Sequence, residues 1–335
     1  MRRLSTGTLL ALTVAACAVS PGPSSPSAAP PASAYATWAP ASGTPSAAVL
    51  PAGVVSTIPV AGGPIGLAAT TDSIWVENHR TNSLSRIDPA ENVEAESLDA
   101  VPVHCDVVAG GGFVWTTQAS GGIAEKVDPE SGEAVGEIRL PDACGVAADD
   151  EDVWIVSPGA SKVVRYDPET LEERASVALG AMPFWVAIGP EAVWVAGEAD
   201  GGTLWRIDPK TNTVVTSISV PNPFSTGVEV GHGSVWVPAR DNKVIYRIDP
   251  ATNEVATTIQ MPSAIGGIGV GPDAVWSSGF GDGMVYRIDP ATNEVTGSID
   301  TGLGNLGPPL IAFDSVWVGA LDRNVVARLD PEAAR

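Results

Sequence analysis

"YRIDPATNEV" stands at Tyr246–Val255 and again at Tyr286–Val295, ten identical residues forty positions apart. Identity of that length within one chain marks a duplicated structural unit, so the question is how many copies there are and what each one builds. Following the tryptophan of each "VWV"-like stretch outward gives Trp75, Trp115, Trp154, Trp194, Trp236, Trp276 and Trp317, spaced 39 to 42 residues apart. The aspartate of each "DP" keeps the same step: Asp88, Asp128, Asp167, Asp208, Asp249, Asp289 and Asp330 each follow their tryptophan by 13 or 14 residues. Seven units of about forty residues indicate a propeller or an array.

One unit, Pro262–Asp300, shows what is repeated. "IGGIGVG" is small and apolar, "AVWSSG" and "MVYRIDP" are rich in β-formers, and "EVTGSID" alternates with period two; Gly, Pro, Asp or Asn bounds each run. Four short antiparallel strands make one blade of an all-β protein. Gly66, Gly145, Gly227 and Gly267 fall in the first strand of their units, as expected where strands converge on a central axis and leave little room for side chains. In "RIDPATN" the Asp accepts backbone donors, the Pro sets φ and the Asn tolerates a left-handed backbone, so the motif reads as the turn between third and fourth strands. A basic residue precedes every such Asp by two positions (Arg86, Lys126, Arg165, Arg206, Arg247, Arg287, Arg328) and is expected to pair with carboxylates of the turn region. The seven tryptophans are expected to pack between blades. "LDPEAAR" ends the seventh unit without a fourth strand, while "GVVSTIPVAGG" (Gly53–Gly63) has the pattern of one and precedes the first unit. It is expected to complete blade seven and close the ring, removing the edges that a linear array exposes.

The stretch before the repeats has another composition. Arg2 and Arg3 followed by "LLALTVAA" (Leu9–Ala16) read as a signal segment, residues 1–16, and Val14-Ala15-Ala16-Cys17 resembles the lipobox of a bacterial lipoprotein, with Cys17 as the lipidated residue. The alternative is an ordinary secretory signal. Residues 17–52 are dominated by Ala, Pro and Ser, too poor in large apolar groups to offset the entropy of ordering. They read as a tether with a reach on the order of 30 Å, leaving 53–335 as the propeller. The expected location is extracytoplasmic, anchored to the membrane through lipid alone. A net charge of −21 repels phosphate backbones, which argues against nucleic acid as a partner.

At "SVWV" and "RIDPATNxV" the chain resembles YVTN or YncE-like seven-bladed β-propellers of the cell envelope and, more distantly, streptogramin (virginiamycin B) lyase-like propellers. The resemblance spans Gly53–Arg335 and implies the fold. The lyase-like group implies a metal-assisted enzyme with a histidine and acidic residues at the central tunnel, but no residue here matches that constellation one by one. The Gly-His and Trp-Asp signatures of WD40 repeats are absent.

Function is then sought in what does not repeat. Loops joining second to third strands, and one blade to the next, share one face, where ligand sites of such rings lie. Arg80, Lys162, Arg240, Lys243 and Arg323 fall there, with acids among them. Phe184 and Trp185 in "GAMPFWV", with Phe224 in "PNPFST", enter at levels where other units use glycine; with Arg240 and Arg80 they form the candidate ligand site, the alternative being that they plug the tunnel. His79 and His104, with Glu77 and Asp106 near in sequence, are the candidates for a divalent metal or a general base, against the alternative of neutral loop histidines. His232 in "VGHGSV" is expected to be solvated on the opposite face, and "ADDEDV" lacks the spaced ligands and glycine of a calcium loop. No cofactor is expected, and the molecule is expected to be a monomer. Two readings follow: a non-catalytic envelope module that binds a small molecule or an envelope protein on the loop face, and a metal-dependent lyase or hydrolase. With Cys17 lipidated, Cys105 and Cys144 remain, each ten residues before the tryptophan of its unit, and are expected to form a disulfide between adjacent blades.

Overall fold

Among the described residues, alternation of apolar and polar residues over runs of three to seven, cut by Gly, Asp-Pro and Asn, produces 28 short strands in seven separate four-stranded antiparallel sheets. The computed structural model describes residues 50–98, 101–103, 105–198, 201–221 and 227–335. Blades one to six run in chain order: Pro64–Leu98, Asp106–Arg139, Val146–Ala178, Met182–Ser219, Glu229–Gln260 and Ile265–Asp300. Blade seven takes three strands from Leu310–Leu329 and its outermost strand, Val54–Pro59, from the other end of the sequence, paired antiparallel with Val325–Leu329. The ring therefore closes as the repeats require. Ile58 and Val60 carry the closing strand into a core shared with Ile74, Val76, Trp317 and Val326, so one cluster spans blades one and seven.

Each seam between blades holds an apolar cluster built around a repeat tryptophan, and all seven tryptophans are buried. At the axis, the glycines are required by proximity. A Cβ on Gly145 would stand 2.3 Å from the carbonyl oxygen of Phe184 in the next inner strand, and one on Gly267 would stand 2.5 Å from Pro308 Cα.

The "RIDPATN" turn behaves as read, except for its basic residue. Asp88 Oδ1 accepts from the backbone N–H groups of Ala90 and Glu91, Asp249 and Asp289 repeat the first of these bonds, and Asn92, Asn212, Asn253 and Asn293 all have φ between 55° and 63°. The arginine turns away from its own turn. Its guanidinium lies over the tryptophan of its own blade, 5.0 to 5.5 Å from the ring in Arg86, Arg165, Arg206, Arg247 and Arg328, and Nη1 then reaches the turn of the next blade. Arg206 donates to Pro250 O and Asn253 Oδ1, Arg247 to Pro290 O and Asn293 Oδ1, and Arg328 across the closing seam to Pro89 O and Asn92 Oδ1. Pairing with carboxylates of the turn region holds for Arg86 with Asp72 and for Arg165 with Asp152, while the feature the five arginines share is a cation held between an aromatic face and a neighbour's carbonyl. A bulge of the fourth strand opposite each basic residue bends the strand where this reach begins.

Cys105 and Cys144 form a disulfide with their Cα atoms 5.1 Å apart, joining the starts of the inner strands of blades two and three. "ADDEDV" is divided: Asp150 and Glu151 are exposed, whereas Asp149 and Asp152 are used internally. Asp149 Oδ1 accepts the N–H groups of Glu151 and Asp152, and buried Asp152 is paired with Arg165 and Arg174.

Candidate functional site

Inner strands run side by side around the axis, so residues at one level of the repeat meet in the centre. Opposite the repeat tryptophans stand Ala68, Val108, Ala147, Ala187, Glu229, Gly269 and Leu310. Six are small or apolar, and Glu229 is the exception. Two residues nearer the loop face, at the level of Gly66, Gly145 and Gly267, blade two places Asp106 and blade four Trp185. These three side chains line one central pocket of about 160 Å³, whose remaining walls include Leu67, Val186, Ile268 and Pro309. It is small beside the roughly 300–1,000 Å³ that houses a drug-sized ligand, so it suits a small molecule or one projecting group of a larger one.

Both carboxyls are pushed toward the neutral form. Enclosure by the channel walls raises Asp106 to about 8. The N–H groups of Val146 and Val107, which donate to Asp106 at 3.0 and 2.9 Å, pull the other way, and the charges of Glu77 and Glu229 add to the rise. Burial alone raises Glu229 to about 7. Near neutral pH each group therefore exchanges a proton readily. Protonated, it donates a hydrogen bond; ionised, it accepts one or faces a cation. Perturbed acids converging with an aromatic in a cavity are a recurrent mark of a functional site.

A stability consequence follows, with its sign fixed by the direction of the shifts. A folded-state value raised above an unfolded value of ~4 contributes stability that is complete below ~4 and is lost as pH rises through the folded value. Asp106 and Glu229 thus make the ring less stable from pH 5 to pH 8. His79, raised chiefly by its hydrogen bond to Glu77, acts in the same direction. The turn aspartates Asp128, Asp167 and Asp208, lowered chiefly by backbone N–H donors, act only at lower pH. We expect the melting temperature of the protein to fall by about 5 °C or more between pH 5 and pH 8. Asp106→Asn should remove much of that slope, and melting curves across this window check it; an unchanged slope in the variant would place the titrating group elsewhere.

The residues singled out by sequence are distributed around this pocket. Trp185 lines it. Phe184 lies beside Trp185 in the same strand, and its carbonyl accepts from Gly145 N–H. Phe224, His104 and Cys17 lie outside the described residues. Arg240 lies over the ring of Phe280, 4.4 Å from its centroid, and its Nε donates to Ile265 O, which ties blade five to blade six. Arg80 forms an exposed ion pair with Asp322 at 2.6 Å on the seam of blades one and seven, a contact of small energetic weight. His79 Nδ1 lies 3.3 Å from Oε1 of Glu77, which is 2 % exposed. Among the described residues no group of three or more His, Cys, Asp or Glu side chains is arranged to hold a metal ion. His232 is exposed on the turn face, as expected, with Nε2 2.9 Å from Gly271 O of the next blade.

Glu229 is the site residue that sequence reading missed. It was legible: aligned on the tryptophans, it is the acid in a column of small and apolar residues.

The fold and the pocket define a seven-bladed β-propeller with a closed ring and a narrow acidic centre. Solved structures with this fold include virginiamycin B lyase from Staphylococcus aureus, with TM-score 0.69 and 18 % identity over 82 % of this chain and 98 % of that one. A streptogramin B lyase structure matches with TM-score 0.69 and 19 % identity over 82 % and 96 %. Hydrazine synthase of Kuenenia stuttgartiensis matches with TM-score 0.69 and 13 % identity over 87 % and 100 %. A family model described as a repeat of unknown function (DUF6923) matches residues 173–282. No curated protein matches the chain. At such identities the likeness concerns the fold, which carries many unrelated activities.

Proposed function

We propose that this chain is a binding module of the cell envelope, held outside the cytoplasm by lipidated Cys17 and the 17–52 tether, that takes a small molecule in its central pocket. The observation that supports this reading is the convergence of Asp106, Glu229 and Trp185 on one cavity at the axis of a ring whose other central positions are small or apolar. Carboxyls that burial holds toward the neutral form shift toward ionisation when a cationic or strongly donating group enters, and the indole supplies an apolar face to the same group. Nothing in this scheme needs a bond to be broken.

A second reading, a metal-dependent lyase or hydrolase, is favoured by the Glu77–His79 pair near the loop face and by the fold shared with streptogramin lyases. One experiment separates the two. Native mass spectrometry of protein extracted gently from membranes should show a small organic adduct in the natural sequence and none in Trp185→Ala. Elemental analysis should find no stoichiometric metal. A bare mass in both proteins contradicts the binding reading. One equivalent of metal, lost when His79 and His104 are both replaced by Ala, establishes the second.

A further inference from the structure

Two residues before each repeat tryptophan, the chain places Ser73, Phe113, Asp152, Ala192, Ser234, Ala274 and Ser315. This column serves the basic residue that lies over the tryptophan. Ser73, Ser234 and Ser315 accept from Nε of Arg86, Arg247 and Arg328 at 2.8 to 2.9 Å. Asp152 does more: its two oxygens accept from Nε and Nη2 of Arg165, 2.6 Å each, a bidentate carboxylate on the guanidinium edge. Where the basic residue is Lys126, the partner is Phe113, with Nζ 3.6 Å from the ring centroid. Ala192 and Ala274 break the rule, leaving an arginine opposite a methyl group.

The blade-four exception opens a cavity of about 430 Å³ on the turn face, away from the central pocket. Arg206 lines it. Its Nη1 is engaged by Pro250 O and Asn253 Oδ1, while among the described residues its Nε and Nη2 have no hydrogen-bond partner. Ile188, Pro190, Val230 and Pro250 supply apolar walls. The other titratable groups of the cavity are His232, whose Nε2 lies against Gly271 O, and Glu191, which stands where Glu151 stands beside the Asp152–Arg165 pair. The blade-six exception differs. Its smaller cavity carries Asp273, Asp314, Asp330 and Glu332 around Arg287, with Arg335 paired to Glu332, so its acids outnumber its cations and disfavour an anion.

We infer that the turn-face cavity of blade four binds a small organic acid, its carboxylate seated on Nε and Nη2 of Arg206 as the Asp152 carboxylate is seated on Arg165, its apolar body against Ile188, Pro190 and Val230. Arginine keeps its charge in any protein environment, so an edge left facing a cavity favours a planar anion over a neutral group of the same shape. The walls favour an acid with a hydrocarbon body over phosphate or sulfate.

Benzoate is the probe, and benzamide its neutral isostere. In ligand-observed NMR titrations of the full chain, benzoate should bind at one site at least ~10-fold more tightly than benzamide. Ala192→Asp should abolish benzoate binding by placing a tethered carboxylate on Arg206 as in blade three, and Ala192→Ser should weaken it severalfold. Both variants copy residues that the repeat already uses, so melting at or above the natural value shows that folding is intact. Absence of benzoate binding to the natural sequence, equal binding of benzoate and benzamide, or undiminished binding in a folded Ala192→Asp variant would each overturn the assignment.

Discussion

Deleting Gly53–Val60 is expected to abolish cooperative unfolding of the whole ring, although the segment lies outside the 40-residue repeats. Its strand pairs along Val325–Leu329 from Val54↔Leu329 to Pro59↔Val325, and Ile58 is buried in the cluster that joins blades one and seven. Without it, Val325–Leu329 becomes an unpaired edge rich in Val and Leu, a template for aggregation. The cluster also loses Ile58 and Val60, at ~2–5 kcal/mol for each large aliphatic side chain removed from a core. Because seams are equivalent around a ring, opening one removes the closure that every blade relies on. Deleting Ser20–Ala47, a longer stretch of Ala, Pro and Ser, should leave the melting curve unchanged. Calorimetry of both truncations checks the pair; similar melting of the two would contradict closure by the N-terminal strand.

The second large effect is expected from the disulfide. Cys105 and Cys144 close a loop with a sequence separation of 39, for which the chain-entropy model gives a stabilisation of up to about 4 kcal/mol. For a domain of this size that corresponds to roughly 10 °C in melting temperature. The bridge also clamps the inner strands of blades two and three next to Asp106, whose carboxyl spans the same seam through Val146 N–H. Replacing both cysteines by serine should therefore lower the melting temperature and loosen the central pocket together. A reducing agent should reproduce the effect in the natural protein and change nothing in the variant. Alkylation of the unreduced, denatured protein that labels both cysteines would contradict the bridge.

What was legible in the sequence was whatever repeats. Seven tryptophans and seven Asp-Pro turns at constant spacing define the blades, and the unmatched strand at Gly53–Gly63 defines the closure. The disulfide was legible for the same reason, since Cys105 and Cys144 occupy one level of adjacent units. The partners of the basic residues were not. Arg206 finds Pro250 and Asn253 at separations of 44 and 47 residues, one full blade onward, and local carboxylates look equally suitable until the blades are stacked. The pocket was half visible: Trp185 and Asp106 stand out as departures from glycine, and Glu229 stands out once the units are aligned on their tryptophans, whereas the meeting of the three in one cavity depends on how the blades are arranged around the axis. Arg240 was singled out from the sequence as a loop cation. Its stacking on Phe280 depends on a neighbouring blade whose position no local pattern reveals.

The most direct test of the central pocket as the working site is a crystal structure of the natural sequence purified from membranes without denaturation. The expected result is density for a non-protein group within hydrogen-bonding distance of Asp106 or Glu229 and in contact with the Trp185 indole. Density for water alone in that pocket, with a bound metabolite elsewhere on the ring, would contradict it.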